Sequence, residues 1–420
     1  MQGYHRQVVS YAELLSWPQF FQLFFAGTLV YMLIIAIIRL YFSPIAAFPG
    51  PFLAKLTHWY EFYFNFMCTG MYYEKIREMH EIYGPVVRVT PDEIHVMEPS
   101  VYHKLFVPGS VRKTEAYVRF SQGTGFEDMT AISAGHDAHR RLRAPLDKLF
   151  GRHGILRIET RVITRVQRLC DRLRSYQNTC EVVNLSNALG SLTTDIISSV
   201  IFEEPSDYLG DPDFNETWFE TLKMGTLNVP LFKHVPWIIR WIGGPIIRAM
   251  ISRVTRWTLW DEKARRQVML IRKRPTDKAV TRVDTTVLDH LVHSDLVEKE
   301  LGHGGFARLA QLIQQAGSYN VSHTLGTIIV YLLHDPRKLE PLRKELGLIW
   351  ACHDGNASQP SWIELEKAPY LTACVTEGLR MAIGNMNRTP RIFPNDNVEV
   401  CGWVIPKGVS LPPDVLDGEI

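Results

Sequence analysis

The sequence predicts a mainly α-helical protein with a small β region, preceded by a single N-terminal transmembrane helix. Three observations predict it. An uncharged apolar run, Phe20–Ile38, stands near the start. Long stretches with helical apolar spacing follow, chief among them Gln311–Leu333. Only two short segments, within Val86–Met97 and Val398–Ile405, read as β-hairpins.

Composition narrows the function. The chain has 420 residues, 46% hydrophobic and 21% charged, enough to bury a substantial core. Its 46 basic and 44 acidic residues leave a net charge of +2, without the concentrated basic face that nucleic acid requires. The cysteines, Cys68, Cys170, Cys180, Cys352, Cys374 and Cys401, are scattered and form no C-x-x-C pair. That pattern argues against a zinc or disulfide scaffold and for reduced thiols in a cytosol-facing domain. No G-x-S-x-G, H-E-x-x-H or P-loop occurs. His136 and His139 have a spacing that a metal could use, but no acid or cysteine cluster accompanies them.

In chain order, residues 1–19 are a short leading segment and residues 20–42 the membrane anchor. At ~1.5 Å per residue, Phe20–Ile38 is about 28 Å long, matching a hydrocarbon core of about 30 Å. Arg39 and Lys55 follow it, which favours a cytosolic C-terminal side. Phe48-Pro49-Gly50-Pro51 stops the helix, and residues 43–54 read as a hinge to the domain. Trp59–Met67 is aromatic and suits either a membrane face or a core. Met71–Ile82 is amphipathic. Val86–Val89 and Glu93–Met97 read as a hairpin. Helices are predicted over Ile132–Phe150, Ile155–Leu173 and Leu185–Phe202, and a short one over Trp218–Leu222. Val229–Trp260 holds Trp237, Trp241, Trp257 and Trp260 among basic residues, which suits a membrane surface and a core equally. Residues 272–284 are a polar loop.

Gln311–Leu333 is apolar all round and is predicted to be buried. Its small residues, Ala316-Gly317-Ser318, let a large flat ligand approach the backbone. A further helix, Pro369–Met381, carries Glu377 and Arg380 on one face, spaced i, i+3. The hairpin around Cys401-Gly402 follows, and the last residues, from Leu411, show no pattern.

Taken in order, these stretches resemble the cytochrome P-450 superfamily of haem-thiolate monooxygenases, in particular its fungal, membrane-anchored members of secondary metabolism. The carriers are Phe48-Pro-Gly-Pro51, Trp59-Tyr-Glu-Phe-Tyr63, Tyr83-Gly-Pro85, His139-Arg-Arg-Leu-Arg143, Ala316-Gly317, Glu377-Gly-Leu-Arg380, Pro390-Arg391 and Gly402-Trp-Val-Ile-Pro-Lys-Gly408. The resemblance implies a cytochrome P-450 fold over residues 55–408 and a haem (heme) cofactor. His139, Arg143 and Arg391 would bind the haem propionates, for which Arg is chemically suited. Ala316 and Gly317 would face the distal side of the haem. Glu377 and Arg380 would form a buried structural pair. The resemblance also implies a hydrophobic small-molecule substrate, a terpenoid or other fungal secondary metabolite, and an NADPH–cytochrome P-450 reductase as electron donor. It places the chain in the endoplasmic reticulum membrane as a single-pass protein with its domain in the cytosol.

Two departures qualify this. Where the family has an acid and then a hydroxyl residue after Ala-Gly-x, this chain has Tyr319 and Asn320 on the oxygen-side helix. A phenol with a reference pKa of ~10 is a poor proton relay. The family's C-terminal loop bearing the iron-binding cysteine is also absent, so no metal ligand is assigned. Cys401 lies in a hairpin, Cys374 reads as a buried apolar thiol, and residues 409–420 read as an unstructured tail. The sequence thus predicts a C-terminally truncated, inactive or incomplete monooxygenase. The alternative is a membrane-anchored, non-catalytic ligand-binding or interaction protein.

Overall fold

The computed structural model describes residues 17–100, 113–117, 119, 135–235, 254–273, 286–292, 295–353, 359–382 and 388–412. Within them, α1 (Trp17–Ile37) continues through a π-helical turn, Ile38–Phe42. Its apolar side chains are exposed, and the whole of Trp17–Phe42 is long and apolar enough to cross a membrane.

Two short helices follow, α2 (Phe52–Leu56) and α3 (Trp59–Phe62), the second running into a π turn, Tyr63–Met67. Then comes α4 (Tyr72–Tyr83), stopped at Gly84, whose φ of 89° closes the helix. The strands β1 (Val86–Arg88) and β2 (Ile94–Val96) pair antiparallel, with Val87 opposite His95. Within Trp59–Met67, Trp59 and Tyr63 are exposed, while Tyr60 and Phe64 pack on the buried Tyr72, so one side of the segment belongs to a core.

The helical body comprises α5 (His136–Phe150), α6 (Arg152–Ser175), α7 (Leu185–Ile201), α8 (Glu216–His234), α9 (Val254–Arg272), α10 (Val287–Val292) and α11 (Asp295–His334). After it come α12 (Pro336–Ala351), α13 (Trp362–Leu365) and α14 (Pro369–Ala382). Asp335 caps α12, accepting from the Arg337 amide at 3.1 Å, and Pro336 takes its first position. The predicted Trp218–Leu222 helix is the first part of the longer α8. Two of the four tryptophans in Val229–Trp260, Trp237 and Trp241, and nearly all of the predicted 272–284 loop lie outside the described residues.

The main apolar core joins the end of α7 to α9, α10 and the first half of α11, around Ile201, Ile271, Leu288 and Phe306. A second core lies under the β region and takes in Ile45 and Phe48, from the segment read as a hinge. The strands β5 (Val398–Val400) and β6 (Trp403–Ile405) form the expected hairpin. Cys401 and Gly402 turn it with φ of 49° and 78°, the positive values a tight hairpin turn demands. A three-stranded sheet orders β3 (Glu115–Ala116), β4 (Arg391–Ile392) and β7 (Ser410–Leu411). Ser410–Leu411 was expected in an unstructured tail; Leu411 instead pairs with Arg391 and is buried.

The central helix departs from expectation in two ways. It begins well before Gln311, and it is not buried throughout. Gln311, Gln314 and Ser318 are buried, but Tyr319, Val321, Val330, Tyr331 and Leu333 are exposed. An all-apolar surface is buried only where partners reach it, and here α7, α9, α10 and α14 pack along part of the circumference.

Candidate functional site

A cavity of about 390 Å³ opens between α5, α7 and α11. Its α11 wall is Leu309, Leu312, Ile313, Ala316 and Gly317, one face of the helix at spacings of three and four. Its α5 wall is His139, Arg143, Leu146 and Phe150, again one helical face. Ile197 of α7 completes it. The walls are largely apolar, with a basic edge where α5 begins.

Sheet topology completes that edge. The pairing of Arg391 with Ala116 sets β4 beside the start of α5, and Arg391 acts electrostatically on His139. Burial, then Arg391 and Arg143, lower the pKa of His139 below its ordinary value, so the imidazole is neutral at neutral pH. Arg143 is exposed and donates its Nε–H to Asp147 at 3.0 Å, one turn along.

Residues expected to share a site are therefore partly gathered. His139, Arg143, Ala316 and Gly317 line one cavity, and Arg391 stands in the field of His139. Tyr319 and Asn320 do not line it: both are exposed, and Tyr319 stacks on His323 with ring centroids 6.2 Å apart. Leu146, Phe150, Leu309, Leu312 and Ile313 were missed, although their helical spacing from His139 and Ala316 was available in the sequence. Ile197 carried no such signal.

Gly317 has a packing role that its sequence context did not suggest. A Cβ there would fall 2.7 Å from Cγ1 of Ile197, so the space saved at this glycine belongs to α7. Thr193 Oγ1 donates to the Ser318 carbonyl at 2.9 Å and holds the two helices at that approach. Gly317 thus serves helix–helix contact while also lining the cavity.

Glu377 and Arg380 correct a second expectation. Their side chains meet through two hydrogen bonds, at 2.7 and 2.5 Å, but stand 60% and 46% exposed rather than buried. No described element packs over that face of α14. Its neighbour Gly378 is the buried residue, pressed against Ile328 of α11.

The lining suits one side of an amphipathic macrocycle. The apolar α11 face fits a flat hydrophobic ring, and the basic edge fits carboxylates at the ring margin. It does not supply a sulfur ligand: all six cysteines are described, and none lines the cavity. Cys401 is exposed, and Cys374 is partly buried on α14, where burial and then Glu345 raise its thiol pKa.

Comparison with known proteins bears on this geometry. The family model described as cytochrome P-450 matches residues 51–413. The chain is 35% identical over 390 residues to cytochrome P-450 monooxygenase oblB of Cochliobolus heterostrophus, covering 91% of this chain and 74% of that protein. It is 35% identical over 397 residues to the fusicoccadiene C-8 hydroxylase of Alternaria brassicicola, covering 91% and 75%. The solved structure of retinoic acid bound cyanobacterial CYP120A1 superposes with a TM-score of 0.58 at 16% identity, over 81% of this chain and 71% of that one, a likeness of fold alone.

Proposed function

The chain belongs to the cytochrome P-450 family, and on that premise we propose that the cavity between α5, α7 and α11 is the distal pocket of a haem. Its role is oxidation of a hydrophobic small molecule, a terpenoid or another fungal secondary metabolite. One observation carries the reading: an apolar helical wall and a basic edge meet in a single cavity. The hydroxylase among the relatives supports a hydroxylation. In this reading His139, Arg143 and Arg391 bind the haem carboxylates, and Ala316 and Gly317 face the distal side. Tyr319 and Asn320 sit on the next turn of the oxygen-side helix. Glu377 and Arg380 pair with each other at the surface of α14, where the family pattern assigns a structural pair.

Haem held by a thiolate supplies oxygen activation in this family. Among the described residues no cysteine lines this cavity, as expected of the face opposite a thiolate ligand. The apolar lining of the cavity also suits a second reading, a membrane-anchored protein that uses the pocket for ligand binding.

The family acts on small molecules and normally uses a redox-partner reductase. For this chain that partner is an NADPH–cytochrome P-450 reductase in the same membrane. The reading places residues 20–42 across the endoplasmic reticulum membrane, with residues 43–54 leading to a cytosolic domain over 55–408. The test is a haemin titration of the purified chain, followed by absorbance. It should retain haem, and His139→Ala and Arg143→Ala should each weaken retention several-fold. A chain that takes up no haem overturns the reading.

A further inference from the structure

One wall of the cavity comes from a helix that no sequence motif assigned to it. Among the described residues, Ile197 is the side chain through which α7 lines the cavity. It reaches that position because α11 carries Gly317 there. A Cβ at Gly317 would fall 2.7 Å from Cγ1, 3.1 Å from Cδ1 and 3.2 Å from Cβ of Ile197. The isoleucine arm thus lies across bare backbone, in a notch that any larger residue would fill.

That seat is held firmly. Thr193, one turn earlier on α7, donates Oγ1–H to the Ser318 carbonyl at 2.9 Å and ties the two helices beside the notch. Gly190, two turns earlier, admits α8 just as closely: a Cβ there would fall 2.6 Å from Cε1 of Phe219. Behind Ile197 lies the main core, against which it packs together with Leu312 and Ile313 of α11. A β-branched side chain in a helix has essentially one χ1 rotamer, so Ile197 does not swing aside for a ligand.

The consequence concerns size. The α11 wall from Leu309 to Gly317 runs about 12 Å along the helix axis, and Ile197 stands at its Gly317 end. At about 390 Å³ the cavity is near the lower limit of ligand pockets, roughly 300–1,000 Å³, so a few carbons in one wall alter what it accepts. Trimming a side chain inside a closed core leaves an isolated void. Trimming Ile197 would instead open space continuous with the cavity that it lines.

We propose that Ile197 is a specificity-determining residue: seated in the Gly317 notch, it sets the upper size limit for the hydrocarbon part of the ligand that enters the cavity. The inference deepens, and rests on, the reading of this cavity as a pocket for a hydrophobic small molecule.

The experiment measures binding of unbranched primary alcohols, from butanol to dodecanol, to the full chain in lipid nanodiscs. Equilibrium dialysis supplies the bound fraction, with nanodiscs lacking the chain as the blank. Affinity should rise about four-fold per added methylene until the cavity is full, and then level off. Ile197→Ala should move the levelling point to alcohols about two to three carbons longer, and the milder Ile197→Val should move it by about one carbon. Val200→Ala is a buried trim one turn along α7, away from the cavity lining; it should leave the levelling point in place. A levelling point that neither Ile197 variant moves, or that Val200→Ala moves equally, overturns the role of Ile197 and leaves the pocket reading standing. Absence of binding at every alcohol length overturns the pocket reading and the proposal with it.

Discussion

Glu61 and Arg388, 327 positions apart in the chain, meet as a buried ion pair at 2.9 Å, with side chains 2% and 10% exposed. Arg388 also donates to Glu93 at 2.7 Å and stacks over the Tyr72 ring, while Lys233 donates to Glu61 at 2.8 Å. The network fastens α3, α8 and the β region together. Burial alone would raise the Glu61 carboxyl pKa; Lys233 and Arg388 outweigh it and hold the pKa well below the usual carboxylate range.

Removing Arg388 leaves Glu61 and Glu93 buried with too little positive charge. Arg388→Met should therefore cost about 3–5 kcal/mol of stability, the penalty of breaking a buried pair from one side. Lys233→Met should cost less, because Glu61 keeps Arg388. Urea denaturation of the two variants checks the order; equal effects would contradict it.

Gly317→Ala sets a methyl group against Ile197, where both residues line the cavity. Overpacking of this kind costs about 1–3 kcal/mol. The substitution should lower the unfolding midpoint and weaken haemin uptake together. The double variant Gly317→Ala/Ile197→Ala should recover part of the packing loss, measured as the coupling in a double-mutant cycle.

The exposed Glu377–Arg380 pair should contribute little to the stability of this chain, since solvent screens it and ordering two long side chains opposes it. Glu377→Ala should leave the thermal midpoint unchanged within error. Gly378→Ala, one residue away, should lower it clearly through collision with Ile328.

Acid should weaken the fold through His95. Its ring is buried, and His80 Nε2 lies 2.8 Å from His95 Nδ1. His80 Nδ1 donates to the Gly84 carbonyl at 2.8 Å, so neutral His80 presents Nε2 as the acceptor of the His95 proton. Burial, then His80 and Arg388, push the His95 pKa well below its ordinary value. The unfolded chain therefore binds a proton that the folded chain refuses. This stability is full above a pH of ~6.5 and falls by up to about 1.4 kcal/mol per unit below it. Asp195 acts in the opposite sense: burial raises it to about 6, so the folded state takes up a proton more readily there and offsets part of the loss. Urea midpoints at several pH values from 7.5 down to 5, for the unaltered chain and His95→Gln, isolate the histidine; identical slopes would refute its role.

The extent to which the site was legible follows from these particulars. His139 and Arg143 share a face by helical spacing, as do Ala316 and Ile313, and such a face is written in the spacing of the chain itself. Arg391 was legible only as part of a family pattern; its approach to His139 depends on a three-strand sheet drawn from residues far apart. Ile197 gave no warning, because its role comes from α7 pressing against a glycine of another helix.

The amino-acid order alone determined the apolar N-terminal helix, the central helix, the two hairpins and the family, because periodicity and ordered motifs are written in neighbouring residues. Tertiary structure alone decided that Glu61 and Arg388 are buried while Glu377 and Arg380 are not, and that part of an apolar helix, with Tyr319, Val321, Val330, Tyr331 and Leu333, is left uncovered. Burial is a property of what packs from elsewhere in the chain, and a local sequence pattern does not state which partners arrive.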